Sequence, residues 1–152
     1  MEHPTPRVGG KDEKLGQRLD EELTAFNNRA TGADPEEFSV RVDAPDGELL
    51  GGLTGWIWGD ACFVDMLWVR EDQRGTGLGR DLIAAAEAEA LRRGCDRVLV
   101  SSFTFQAPAF YQRLGYVETG RTLGIPGGHA DVHMAKRLDG ADTAQWVRAE
   151  LA

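Results

Sequence analysis

Leu15, Leu19, Leu23 and Phe26 recur at helical spacing between Asp12 and Ala30, with charged residues on the other face. This predicts an amphipathic first helix, and Gly32, just after Thr31, is placed to end it in left-handed backbone. The period then changes. Phe38, Val40 and Val42 alternate with Ser39 and Arg41, a strand pattern that runs into the turn chemistry of Pro45-Asp46-Gly47. Leu49 to Trp58 reads as the next strand, where Gly51, Gly52 and Gly55 suggest a bulge or close packing. Gly59-Asp60 is a two-residue hairpin turn, and Ala61 to Val69 follows as a buried strand. The first half is therefore a helix followed by an antiparallel meander of three strands.

The second half has a different pattern. Arg70 to Gly79 is a charged, glycine-rich loop, after which Leu78, Leu82, Ile83, Ala86, Ala90 and Leu91 mark a helix ending at Gly94. Arg97 to Ser102 is a strand centred on Val98, Leu99 and Val100, so the strand–loop–helix–strand unit predicts a right-handed parallel crossover. Ala107 to Leu114 reads as a short helix with Pro108 near its start and Gly115 at its end. Tyr116 to Thr122 and Asp131 to Lys136 read as strands joined by a Gly/Pro loop from Gly124 to Gly128, and Gln145 to Leu151 as a final short helix. The expected class is α+β: a mixed, mostly antiparallel sheet with one parallel pair, flanked by helices. The expected organisation is a tail over 1–11, one domain over 12–137 and a C-terminal extension over 138–152.

Composition narrows the function classes. A chain of 152 residues with 41% hydrophobic and 28% charged residues can close one core without disulfide or metal. Its net charge of −8 argues against a nucleic-acid binder and favours a cationic partner such as an amine, though it also serves solubility. Cys62 and Cys95 make neither a disulfide framework nor a zinc signature, and no metal site is expected. No apolar segment suits a signal peptide or a membrane span. The expectation is a cytoplasmic protein with reduced thiols and no membrane partner.

The candidate chemistry lies in Leu67-Trp68-Val69-Arg70-Glu71-Asp72-Gln73-Arg74-Gly75-Thr76-Gly77-Leu78-Gly79-Arg80. A strand ends, glycines follow at alternate positions and a helix begins at once. Glycines let backbone N–H groups converge, and the new helix aims its unpaired N–H groups and positive dipole end at the same point. A diphosphate suits such a cradle, and Arg74 and Arg80 add positive charge. A Walker loop would need a lysine after these glycines, and a Rossmann fingerprint would need G-x-G-x-x-G with an acid ending the next strand. The loop reads G-x-G-x-G and the next strand ends in Ser101-Ser102. A glycine turn without a ligand is the remaining structural alternative.

Arg74, Gly77 and Gly79 also form R-x-x-G-x-G, and Ala107-Pro108-Ala109-Phe110-Tyr111-Gln112-Arg113-Leu114-Gly115-Tyr116 follows downstream. In that order, with a helix and strand between them, these motifs resemble the GNAT superfamily of N-acetyltransferases, from about Glu37 to Arg137. The resemblance implies the GNAT-type fold, in which the strand before the loop splays from its parallel neighbour. It implies acetyl-CoA as acyl donor and an amine acceptor, with a homodimer common among relatives. Leu67, Trp68 and Val69 would pair with the pantetheine arm. The backbone of Arg74, Gly75, Thr76, Gly77, Leu78, Gly79 and Arg80 would hold the diphosphate. A backbone N–H near Leu67 would stabilise the oxyanion formed on attack.

By the same resemblance, Tyr111 protonates the departing thiolate, for which a phenol of pKa ~10 is available at neutral pH. Relatives often carry an asparagine where this chain has Thr104; Thr104 or Gln106 would replace its cofactor contact. Asp65, the acid within the strand before the loop, and His129, in the loop between the last two strands, are the candidate bases. Trp56, Trp58 and Trp68 are candidates for lining the acceptor pocket, or for the core. An acyl-CoA-binding module in which Tyr111 is idle is the competing function; a dinucleotide-binding domain is a weaker third.

Overall fold

A computed structural model describes residues 2–152. The chain forms two compact units, one ending at Asp34 and one running from Pro35 onward. The first contains α1 (Glu13–Thr31). Asp12 caps it by accepting from the Leu15 N–H at 2.9 Å, and Gly32, at φ 72°, closes it by donating to the Asn28 carbonyl. The expected helix is present, but none of its side chains is buried. Leu15, Leu19, Leu23 and Phe26 are 52–62% exposed.

The second unit holds β1 (Glu36–Asp43), β2 (Leu49–Trp58), β3 (Ala61–Val69), α2 (Leu78–Arg92), β4 (Arg97–Phe103), α3 (Pro108–Arg113), β5 (Val117–Ile125), β6 (His129–Arg137) and α4 (Thr143–Leu151). One six-stranded sheet runs β1-β2-β3-β4-β6-β5. Every neighbouring pair is antiparallel except β3 with β4. The parallel pair follows from the α2 crossover, as expected from the sequence.

Alternation along the strands divides the sheet into two faces. Leu53, Ile57, Cys62, Val64, Val98 and Val100 join Ile83, Ala86 and Ala90 of α2 in one buried cluster. The small alanines at 86 and 90 let the helix lie close to the strands. Gly55 is part of the same fit: a Cβ there would stand 2.6 Å from the Phe63 carbonyl oxygen and 2.8 Å from the Phe38 ring. The β2–β3 register also shifts between Thr54 and Gly55, so bulge and close packing coincide at this glycine. Arg93 ties α2 to β1 by bonding Glu89 at 2.7 Å and Glu36 at 3.5 Å.

The last two strands are longer than their pattern suggests. Gly124, expected in a loop, lies inside β5 at φ 82°, where a register irregularity between Thr122 and Ile125 absorbs it. The connection shrinks to 126–128, with Gly127 and Gly128 both at positive φ, and His129 becomes the first residue of β6. Asp142 caps α4 by accepting from the Gln145 N–H at 3.0 Å, and Arg137 lies over the Trp146 ring. Among the described residues no helix is long and apolar enough to cross a membrane.

Candidate active site

The β3–β4 ladder is short. Ala61 pairs with Arg97, Cys62 with Val98 and Phe63 with Leu99, and there the pairing stops. β3 continues to Val69 bonded only to β2, and β4 to Phe103 bonded only to β6. The facing edges past Phe63 and Leu99 therefore carry main-chain N–H and C=O groups with no strand partner. A ligand with amide groups of its own fits such a gap.

The glycine loop stands at the open end of this gap. Arg70 forks onto Asp72 at 2.6 and 2.8 Å, and its N–H reaches the Leu50 carbonyl. Arg74 turns back to the Val69 carbonyl at 3.2 Å, and the Thr76 hydroxyl bonds the Gln73 carbonyl. Gly75 and Gly77 adopt φ 77° and 90°, a conformation that side chains disfavour. Gly77 is the N-cap of α2 and brings no capping side chain, so the first-turn N–H groups face outward without a side-chain acceptor. A Cβ on Gly79 would press within 3.3 Å of the Phe110 ring, so this glycine seats α2 against α3.

Tyr111 of α3 belongs to the buried cluster that also holds Val64 and Val100, the residues next to the parting; it is 6% exposed and packed edge-on against Phe110 and Tyr116. Burial pushes its phenol up to about 12. Its hydroxyl has no hydrogen-bond partner among the described residues, yet the oxygen is not sealed from solvent. Ser102 is buried at the end of β4 and accepts from the Ala107 N–H at 3.1 Å, fixing the turn into α3 that presents the tyrosine.

The sheet face opposite α2 is polar and aromatic beside the same gap. Trp56 stacks on Phe63 with ring centroids 3.9 Å apart, and Trp68 is 48% exposed. Asp65 is the extra residue of the β3 bulge, between Val64, opposite Gly55, and Met66, opposite Thr54. A groove of about 400 Å³ lies here, lined by Glu37, Ser39, Thr54, Trp56, Asp65 and Met66 together with Phe38 and Gly55.

Residues 10–116 match the Acetyltransferase (GNAT) family. The chain belongs to that family. The blasticidin-S acetyltransferase of Streptomyces morookaense is 52% identical to it over 104 residues, which is 68% of this chain and 76% of the relative. A crystal structure of an acetyltransferase from Bacillus cereus superposes with a TM-score of 0.75 at 31% identity, over 88% of this chain and 98% of that one. An aminoglycoside 6'-N-acetyltransferase complexed with coenzyme A shares the fold, with a TM-score of 0.63 at 21% identity over 84% of this chain and 88% of that one. The chain is thus an acetyl-CoA-dependent N-acetyltransferase with the α+β fold and the parted parallel strands expected of a GNAT protein.

The residues expected to serve this GNAT enzyme are differently placed. Leu67, Trp68 and Val69 flank the gap on β3, and Arg74 to Arg80 form the loop above it. Trp56 lines the open-face groove, while Trp58 stands 6.4 Å from it, nearer the hairpin. Thr104 and Gln106, expected to touch the cofactor, have bonds within the chain. The Thr104 hydroxyl accepts from the Ala130 N–H at 3.2 Å and meets His129 Nδ1 at 2.9 Å. Gln106 Oε1 accepts from the Phe103 N–H at 3.0 Å. His129 is further held edge-on by Phe105, so its ring is fixed and its Nε2 is the nitrogen left for other partners. Glu37, Thr54 and Ser102 are not marked by the sequence; Glu37 alternates with Phe38 as any exposed strand acid would, and the signals that point to this groove are Trp56, Asp65 and the bulge glycine Gly55.

Proposed function

We propose that this enzyme moves an acetyl group from acetyl-CoA to a primary amine of a small molecule, with blasticidin S as the first acceptor to test, and that it works in the cytoplasm. The observation that carries the reading is the parted β3–β4 pair, with the glycine loop at one end and the unpartnered Tyr111 hydroxyl in the cluster that holds Val64 and Val100. The 52% identity to a blasticidin-S acetyltransferase supports the choice of acceptor.

Acetyl-CoA supplies the activated acyl group; the residues present fit it. Free main-chain groups of Leu67 to Val69 bind the amide-bearing arm, as an added strand would. N–H groups from Gly75 to Arg80 bind the diphosphate at the α2 N-terminus, with Arg74 and Arg80 screening its charge. A β3 N–H near Leu67 donates to the acyl oxygen as negative charge develops there. Asp65, exposed at the bulge and without an ion pair among the described residues, takes the proton of the incoming ammonium directly or through water. Tyr111 donates its phenolic hydrogen toward the departing sulfur.

The test is thiol release from acetyl-CoA with blasticidin S, with mass spectrometry of the product. A blasticidin S mass increased by one acetyl group supports the reading. No acetylated product from blasticidin S or from a broad panel of small primary amines defeats it.

A further inference from the structure

The groove on the open sheet face contains two carboxylates and no lysine or arginine. Other acids of β1 and of the loop after β3 are already matched: Glu36 with Arg93, Asp43 with Arg41, Asp72 with Arg70. Glu37 and Asp65 have no ion pair or hydrogen bond among the described residues. A second observation points at the same place. The Thr54 hydroxyl oxygen, in the groove wall between these acids, is closed off from solvent and has no hydrogen-bond partner. It is the one side-chain atom in that condition among the described residues. A buried hydroxyl left without a partner is a standing penalty, and a donor that displaces the atoms covering it as it seats in the groove would relieve it.

The groove's third component is aromatic. The Trp56 ring, held flat by its stack on Phe63, faces the groove beside both acids, and an indole face attracts cations. Glu37 and Trp56 are register partners across β1 and β2, while Asp65 bulges from β3. Two strand spacings separate the two acids, roughly 10 Å.

From these features we infer that the groove is an acceptor subsite for a molecule carrying a second positive charge, in which Glu37 and Trp56 hold the distal cation while Asp65 faces the reacting amine. The inference rests on the proposed role of Asp65 beside the acyl group. It deepens that reading by naming the acceptor class: a compact diamine or amino-guanidine in preference to a monoamine. Glu37 is then a specificity-determining residue, acting on acceptor binding and not on the acyl-transfer step.

The probes are 1,5-diaminopentane and pentylamine, which differ in the distal charge. kcat/KM is measured for each with wild type and Glu37→Gln, and calorimetry records diamine binding to the protein–coenzyme A complex. Wild type is expected to prefer the diamine by roughly tenfold, and Glu37→Gln to lose most of that preference through KM, as expected for removal of one ion pair with cation–π support. High salt should shrink the preference as well. Equal kcat/KM for the two amines in wild type, or an unchanged preference in Glu37→Gln, overturns the inference. The two proposals fail separately. Diamine binding that Glu37→Gln weakens, without acetyl transfer to any amine, leaves the subsite standing and removes the proposed function. Acetylation of blasticidin S with no measurable diamine binding does the reverse.

Discussion

Replacing Tyr111 by Phe separates catalysis from architecture, because the tyrosine ring is buried while its hydroxyl has no hydrogen-bond partner among the described residues. The ring keeps its contacts with Phe110 and Tyr116, so the fold should change by less than about 1 kcal/mol. The effect on rate follows from the raised pKa of the phenol. Burial holds the phenol at about 12, whereas a thiol titrates near ~8.5. Complete proton transfer from that phenol to the thiolate would be uphill by about 5 kcal/mol at 1.36 kcal/mol per unit. Tyr111 therefore acts chiefly by hydrogen-bonding the developing negative sulfur, an interaction with a charged group of about 1.5–3 kcal/mol. The expected loss is about 10- to 150-fold in kcat, with little change in melting temperature or acetyl-CoA affinity. Steady-state thiol release at saturating donor, with a melting curve for each protein, reads all three quantities. A kcat within about twofold of wild type refutes the role. A basic limb near pH 8–9 that disappears in Tyr111→Phe would instead make the tyrosine a full proton donor and overturn the hydrogen-bond reading alone, since a phenol held up at about 12 cannot produce that limb.

Other perturbations test the surrounding structure. Gly55→Ala pushes a methyl group to 2.6 Å from the Phe63 carbonyl and 2.8 Å from the Phe38 ring; we expect about 2 kcal/mol of destabilisation, seen as a melting point lower by about 4–8 °C. Gly77→Ala forces a side chain into φ 90° at the α2 N-terminus; acetyl-CoA affinity should fall roughly tenfold by calorimetry, with the circular dichroism spectrum unchanged. Thr54→Val removes the unpartnered hydroxyl; denaturant titration should show stability unchanged or higher by up to about 1 kcal/mol. Bonds from Arg92 and Arg93 lower the Glu89 carboxyl from 4.5 to about 2. Its folded value lies below the unfolded one, so its contribution is full above pH 4.5 and fades as pH falls toward 2. Glu89→Gln should flatten that limb of a stability–pH curve.

Much of this architecture is legible along the chain. Period-two alternation marks β1, and the break at Arg70 followed by alternate glycines locates the loop and the crossover that makes β3 and β4 parallel. Residue pattern cannot say where a ladder ends, so the exact parting at Phe63 and Leu99 emerges only in three dimensions. Gly124 misled for a physical reason: a positive-φ glycine serves equally in a loop or in a strand bulge, and the flanking partners decide. The partners of Thr104 within the chain, Ala130 and His129, lie far along the sequence, so no local pattern shows them. Glu37 went unnoticed because an acid on an edge strand looks like ordinary solubilising surface until the bulge on β3 brings Asp65 to the same groove.

Three residue pairs are all the parallel ladder that joins β1–β3 to β4–β6, and α2 lies mainly over the former. In mechanical terms the sheet has a hinge line between Phe63 and Leu99. A donor bonded along the exposed edge of β3 would act as a strut across that line, coupling the two lobes. In the empty enzyme the gap-facing amides of residues 64–69 and 100–103 should therefore exchange faster than those of the three-pair ladder, and acetyl-CoA should slow both edges together although its diphosphate rests on neither strand.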